Sequence, residues 1–388
     1  MITPTTMKKL TVVIVSYNVR CYLEQCIVSV QRAAQDIDYE LYVVDNDSHD
    51  DTVHYISRRF SDELTLIECQ HNLGFARANN IAIRQSESEY VLLLNPDTFV
   101  SEDSFRRVLA FMDYHPQAGG VGVKMYNSNG TVARESRRGM PTPWVSLLKM
   151  MGLSRRYYLS DLPWDEPCQI EVMSGAFCML RRSVLDRVGL LDKDFFMYGE
   201  DIDLSYRILK GGYQNWYVPV SIVHYKGEST QKSSYRYVHV FYQAMLIFFR
   251  KHYGHLSIFV TIPIKLAIYF RAFIALIRMQ FDRIRHSLGL DMRDHGETNY
   301  YFVGAATMID QCRKLARRKG LSARFQTTHE LPVMQIDIEP GTCIVYDTDT
   351  FAFQQIIADA ATYADRNITI GTFNRQSKTI ITPTETIR

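Results

Sequence analysis

An α/β fold organised on a parallel sheet is what this sequence predicts, and three observations carry the reading. Residues 10–15 (Leu-Thr-Val-Val-Ile-Val), 40–44 and 90–94 are short apolar runs, as expected of strands covered on both faces. Apolar residues at helical spacing follow the first run, over residues 22–34. Each run then ends in a polar turn: Ser16-Tyr17-Asn18, Asp45-Asn46-Asp47-Ser48 and Asn95-Pro96-Asp97. Ligands of open α/β sheets sit at the carboxyl ends of the strands, so Tyr17, Asn18 and Asp45 fall where a ligand would bind.

Composition bounds the rest. A chain of 388 residues, 46% hydrophobic and 22% charged, is ordinary globular material with length for two or three domains. A net charge of +2 gives no ground for a nucleic-acid partner. The seven cysteines are odd in number and form no C-x-x-C pair, which predicts reduced thiols in a cytosolic setting and no zinc site. The first apolar run, residues 10–15, is too short for a signal sequence or a membrane span.

Along the chain, residues 51–60 read as a helix capped by Ser48 or Asp50, 64–68 as a strand, and 72–80 as the opening of another helix. No G-x-G-x-x-G follows any strand, which counts against a dinucleotide site. Residues 134–165 are irregular and rich in arginine (134, 137, 138, 155, 156), and read either as a mobile basic flap or as a plain surface excursion. Residues 194–203 run an aromatic cluster into Glu200, Asp201 and Asp203. Desolvation and mutual repulsion would poise one of these acids as a general base; the alternative is a helix start whose dipole the acids complement. His224 follows a strand at 218–223, and 235–252 is an amphipathic helix ending at Gly254. Residues 256–277 are strongly apolar but interrupted by Pro263, Lys265 and Arg271. Arg271, Arg278 and Arg285 recur every seven residues on one helix face, the pattern of an in-plane helix on an anionic membrane surface. Burial against a dimer partner and a membrane span are the alternatives. From residue 298 onward a small α/β domain is expected, with strands at 300–303, 323–326, 343–347 and 368–371 and helices at 307–319 and 351–364. The boundaries are therefore 1–234, 235–297 and 298–388.

The ordered motifs Val-Ser-Tyr-Asn (15–18), Val-Asp-Asn-Asp-Ser (44–48), Asn-Leu-Gly-Phe-Ala (72–76), Leu-Asn-Pro-Asp (94–97), Ser-Gly-Ala (174–176) and Gly-Glu-Asp-Ile-Asp-Leu (199–204) resemble inverting glycosyltransferase family 2, and within it the rhamnosyltransferase-like members. Six short motifs in order form a specific signal where each alone is weak. The resemblance covers residues 10–254 and implies a GT-A fold, a single nucleotide-sugar-binding α/β sheet.

By that resemblance Asp45 accepts from the base of a nucleoside diphosphate sugar, with Tyr17 and Asn18 lining the same crevice. Asn72, Gly74 and Asn80 form a second nucleotide-contacting segment, and Lys226 belongs to a loop that closes on the donor. Asn95 and Asp97 stand at the family's D-x-D position, where a divalent cation (Mg²⁺ or Mn²⁺) is held against the diphosphate. The neutral Asn95 leaves most of that task to Asp97, with His224 a second candidate ligand. Asp201 is the expected base and Glu200 its support. The implied donor is dTDP-rhamnose or a UDP-sugar and the implied acceptor a polyprenyl-diphosphate-linked glycan, which would place the protein in the cytoplasm on the inner face of the cell membrane. Two rival classes are a nucleotidyltransferase and a sugar-nucleotide-binding scaffold without turnover. The first wants a glycine-rich triphosphate loop, and residues 16–22 hold no glycine; the second would lack one of Asp45, Asp97 and Asp201, and all three are present.

Overall fold

The computed structural model describes residues 7–225, 235–254, 298–331 and 338–388 except 365, with scattered helical positions from 262 to 281. The first half alternates strand and helix: β1 (Lys8–Ser16), α1 (Arg20–Ala33), β2 (Tyr39–Asp45), α2 (Thr52–Arg59), β3 (Thr65–Glu68), α3 (Phe75–Gln85) and β4 (Ser88–Leu94). These four strands pair in parallel in the order β3-β2-β1-β4. In β1, Leu10, Val12 and Ile14 enter one buried cluster with Leu23 and Ile27 of α1, while Val13 and Val15 enter another with Ala78 and Ala82 of α3. Successive side chains point to opposite faces, so a strand covered on both sides is apolar almost throughout; a buried exception in β1, Thr11, is hydrogen-bonded to Glu40 and Ser88, both at 2.6 Å.

Beyond β4 the sheet turns mixed. The following elements are β5 (Thr98–Val100), α4 (Ser104–Tyr114), β6 (Ala118–Tyr126), α5 (Pro143–Met150), β7 (Cys168–Ile170), β8 (Phe177–Arg181), α6 (Arg182–Val188), α7 (Glu200–Lys210) and β9 (Gln214–His224). Strand β8 runs antiparallel to both β4 and β6, β6 and β9 are parallel, and β5 and β7 add to β9 antiparallel, completing nine strands. The sequence did not announce β5 to β8. Two have three residues each, and β6 opens on glycines that read as loop; a Cβ at Gly120 would come within 2.5 Å of the Met173 sulfur, so a side chain there would require the Met173 thioether to move.

Helix α8 (Tyr235–Tyr253) matches the expected amphipathic helix. Its Ala244 and Phe248 pack in a buried cluster with Met140, Val172 and Phe195. In the apolar segment after it, Ile262, Leu266, Phe270, Phe273 and Ile277 are helical and exposed, and no helix among the described residues is long and apolar enough to cross a membrane. Arg271, Arg278 and Arg285 lie outside the described residues.

The C-terminal part forms a separate α/β sheet from β10 (Asn299–Gly304), α9 (Ala306–Lys319), β11 (Ala323–Thr327), β12 (Thr342–Asp347), α10 (Phe353–Thr362), β13 (Thr369–Asn374), β14 (Thr379–Ile381) and β15 (Thr386–Ile387). Its order is β11-β10-β12-β13-β14-β15, parallel except for the last two pairings. Phe353, Ile356 and Ile357 of α10 share one buried cluster with Val19, Tyr22, Phe99 and Tyr225 of the first part. Tyr22 donates to the Thr382 carbonyl (2.7 Å), Gln25 to Thr372 (2.9 Å) and Arg32 to the Thr348 carbonyl (2.7 Å). Glu102 caps α10 from the neighbouring part, accepting from the Phe353 and Gln354 amides at 2.7 and 2.9 Å. Replacing Glu102 by Ala leaves the first amides of α10 without that acceptor, and should cost on the order of 1 kcal/mol of stability. Faster hydrogen exchange at the Phe353 and Gln354 amides is the expected local sign; unchanged exchange there would show that the cap holds nothing.

Candidate active site

The crevice begins where β1 and β2 end. Asp45 is buried; its Oδ2 accepts the Ser48 amide at 2.8 Å, while its Oδ1, equally buried, has no hydrogen-bond partner. A buried carboxylate oxygen left unpaired costs about 1–3 kcal/mol or more, so an N–H donor brought to this strand end would be favoured. Asn18, at φ 55°, ties the two turns together: its amide donates to Ser48 Oγ (2.9 Å) and its Oδ1 accepts the His49 amide (2.7 Å). The Tyr17 ring stands edge-on to His49. Asp45, Tyr17 and Asn18 are thus brought to the paired ends of adjacent strands, Ser16 lying opposite Asp45.

The second expected segment works differently from its sequence reading. Asn72 Oδ1 accepts from Asn46 Nδ2 and from the Gly74 amide, both at 3.0 Å, closing the loop rather than presenting that oxygen to a ligand. Gly74, at φ 79°, does permit a close backbone approach, but to protein: a Cβ there would lie 2.3 Å from the Phe196 carbonyl oxygen, which also accepts the Phe75 amide at 2.7 Å. Asn80 is buried, and both ends of its amide are spent on the Leu191 backbone, at 2.7 and 3.1 Å. These residues fasten α3 to the stretch at 191–199. Polar and glycine residues suited to ligands are equally suited to that internal task.

Asn95, Asp97 and His224 do converge. Thr98 pairs with His224 across β5 and β9, which brings His224 Nε2 to 3.2 Å from Asp97 Oδ1 and 3.3 Å from Asn95 Nδ2. Asp97 is buried, and the other ring nitrogen of His224 is buried without a hydrogen-bond partner. No cluster of three or more His, Cys, Asp or Glu ligands occurs among the described residues. Asp97 and His224 therefore offer a cation two protein ligands of suitable type, and its other positions would have to be filled by ligand oxygens or water. Lys226 lies outside the described residues.

On the other side of the β4 end stand the acids of α7. The Asn95 amide donates to the Ala176 carbonyl (3.1 Å), and the Gly175 amide donates to Asp201 Oδ2 (3.2 Å), so one tight turn links the Asn95–Asp97 motif to Asp201. Asp201 Oδ2 also accepts from Arg138 Nη2 at 2.5 Å, and its Oδ1 from the Ile202 amide at 2.8 Å. Arg138 donates in addition to the Met173 carbonyl. Sequence reading placed Arg138 within a flap and missed this contact. Glu200 is buried beside the pair, and desolvation, with the Asp201 charge adding to it, pushes its carboxyl up to about 8. Glu200 thus keeps its proton at neutral pH while Asp201 faces a guanidinium. Asp203 meets two cations, Arg207 (2.8 Å) and Lys251 (2.8 Å), and the imidazole of His252 (2.7 Å), whose pKa burial lowers, and locks α8 onto α7.

Residues 11–189 match the description glycosyl transferase family 2. Among characterised relatives, an N-acetylglucosaminyl-diphospho-decaprenol L-rhamnosyltransferase of Mycobacterium tuberculosis is 26% identical over 62% of this chain and 83% of its own length. Rhamnosyltransferase WbbL of Escherichia coli is 27% identical over 48% of this chain and 79% of its own. The solved structure of the mannosyltransferase PcManGT from Pyrobaculum calidifontis, in complex with GDP-Man and Mn²⁺, superposes with a TM-score of 0.45 and 20% identity, over 71% of this chain and 74% of that one.

The state of Glu200 gives a pH signature. Its folded pKa lies above the usual 4.5, so the native state binds the extra proton, and the stability this confers is lost as pH rises from about 4.5 through about 8. Glu200→Gln, uncharged at every pH, should lose less stability than the parent over that window. Melting temperatures of both proteins from pH 5 to 9 check this; parallel curves would mean that Glu200 is ionised throughout.

Proposed function

We propose that this chain, whose residues 11–189 match glycosyl transferase family 2, is a glycosyltransferase that moves a rhamnose-like sugar from a pyrimidine nucleoside diphosphate to a polyprenyl-diphosphate-linked glycan, with inversion at the anomeric carbon. The observation that carries this is the link from Asn95 through Ala176 and Gly175 to Asp201, which sets the buried Asp97–His224 pair and the α7 carboxylate around one strand end. Asp45 Oδ1 supplies the acceptor for a pyrimidine imide N–H. The M. tuberculosis relative, named for a decaprenol-diphosphate substrate and L-rhamnose, supports the choice of donor sugar and acceptor.

In this reading Asp97 and His224 hold a Mg²⁺ or Mn²⁺ ion, which when bound neutralises charge on the departing diphosphate. Asp201 takes the proton of the acceptor hydroxyl as the new oxygen–carbon bond forms and the bond from the anomeric carbon to the phosphate oxygen breaks. The leaving group is the nucleoside diphosphate. Arg138, with the Gly175 and Ile202 amides, fixes the Asp201 carboxylate in orientation, the part of catalysis that positioning supplies. Protonated Glu200 adds no second negative charge beside it. An acceptor of this class places the enzyme at the cytoplasmic membrane face, where the exposed apolar helical positions from Ile262 to Ile277 would lie in the interface.

Asp201→Asn should abolish transfer, by at least about a hundredfold as removal of a general base does, with donor binding retained; turnover in the purified variant would exclude Asp201 as the base. Asp97→Ala should weaken binding of a pyrimidine diphosphate only when Mn²⁺ is present. A thermal-shift panel of dTDP, UDP and GDP with Mn²⁺ or a chelator reads both metal dependence and base preference, and weakening that persists in chelator would assign Asp97 a structural task instead.

A further inference from the structure

Arg137 is the largest fully buried side chain among the described residues. Its Nη1 donates to the Leu162 and Pro163 carbonyls at 2.6 and 2.5 Å, and its guanidinium carbon stands 3.5 Å from the centre of the Trp164 ring. Its Nε and Nη2 are buried with no hydrogen-bond partner, and no carboxylate pairs with it among the described residues. Burial pushes the Cys168 thiol up, against the charge and the side-chain contact of Arg137 that lower it, so the thiol is neutral, a weak acceptor beside the guanidinium that supplies no counter-charge. A guanidinium withdrawn from water with two idle nitrogens is costly unless an anion completes it. Arg137 also lines a cavity of about 520 Å³, with Arg134, Arg155, Ser154, Tyr158 and Trp164. Arg155 is paired with Asp161; Arg137 has no such match.

Beside the cavity the surface is apolar. Trp144, Leu147, Met151 and Leu153 are between 39% and 69% exposed, and the spacing of the first three puts them on one side of α5 and the turn after it. Leu153 belongs to both this ridge and the cavity wall. Between residues 134 and 160 the sequence carries six cationic side chains and one acidic, Glu135. A cationic hollow that adjoins an exposed hydrocarbon ridge has the chemistry of an amphiphile's head and tail.

We propose that this cavity is a binding site, distinct from the donor crevice, for the phosphate or diphosphate group of an amphiphile, whose hydrocarbon chain runs along Trp144, Leu147, Met151 and Leu153. The head group completes Arg137. Arg138, the next residue, points to Asp201 instead, so the segment offers one arginine to the lipid phosphate and one to the transfer site. The assignment deepens the acceptor reading above and rests on it for the nature of the ligand, but its test reads binding alone.

With Trp144 and Trp216 replaced by Phe, Trp164 is the sole tryptophan and reports from the cavity wall. In the presence of UDP and Mn²⁺ to occupy the donor crevice, farnesyl diphosphate should change Trp164 emission saturably, and farnesol should not. Arg134→Gln with Arg155→Gln, both at exposed positions, should weaken that binding about tenfold or more, the effect of removing charge-assisted hydrogen bonds; adding Arg137→Gln should remove it, with folding followed by circular dichroism. Vesicles of phosphatidylcholine with and without phosphatidylglycerol form the second arm. A response to farnesyl diphosphate alone assigns the site to the lipid-linked acceptor, and a response to phosphatidylglycerol as well extends it to membrane phospholipid. No response to either, an equal response to farnesol, or affinity indifferent to Arg134 and Arg155 overturns the proposal. Transfer to a polyprenyl acceptor without any farnesyl diphosphate response would sink the cavity and spare the acceptor reading; the reverse pattern would do the opposite.

Discussion

Three carboxylates within four positions at the start of a partly buried helix are the constraint around which this molecule is arranged. Together they would be prohibitive if all were ionised without partners. Each is accommodated differently. Asp203 collects Arg207, Lys251 and His252, and so recruits α8. Asp201 takes Arg138 from the segment before α5 and the Gly175 amide from the turn before β8. Glu200, buried beside them, keeps its proton. The contacts that make the acids tolerable are therefore the contacts that assemble the α7 side of the candidate site. Folding and function place the same demand on these residues.

Much of this was legible in the sequence, for a physical reason. Strands β1, β2 and β4 are covered on both faces, so hydrophobicity alone marks them, and their ends carry the polar turns in which Asp45 and Asp97 sit. The strands that went unread are short or glycine-bearing, and their sheet membership is decided by partners distant in the chain: β8 by β4, and β7 by β9. Gly74 and Asn80 show a second limit. Sequence reveals that a position needs glycine or a two-sided amide, but not whether a ligand or Phe196 and Leu191 will meet it. The arginines at 137 and 138 mark the opposite error, since a basic run reads as solvated surface until the carbonyls and the carboxylate that receive it are seen.

The C-terminal sheet had no motif to announce a role, and its docking suggests where its influence falls. It holds α1 through Tyr22, Gln25 and Arg32, and α1 begins two residues after Asn18, the residue that joins the turns of β1 and β2. It also touches Phe99 and Tyr225, immediate neighbours of Thr98 and His224. Both ends of the candidate crevice thus rest on elements whose outer side is buried by the second sheet. A site whose supporting elements are fixed by packing needs less ordering when ligand arrives, and this is a structural task that a domain without chemistry of its own can perform.

Arg137 and Arg138 bring the acid problem and its inverse together in one dipeptide. Arg138 answers a surplus of buried negative charge at α7, and Asp201 supplies its counter-charge within the protein. Arg137 faces the other way and is incomplete: carbonyls and an aromatic face are partial neutralisers, because each presents a dipole or quadrupole where the guanidinium carries a full charge. A fold that supplies a matched partner to one arginine and withholds it from the next has left room for an anion to enter from outside. That asymmetry, more than the size of the cavity, distinguishes a binding site from a packing fault, because a void without unsatisfied charge would do as well lined by leucine.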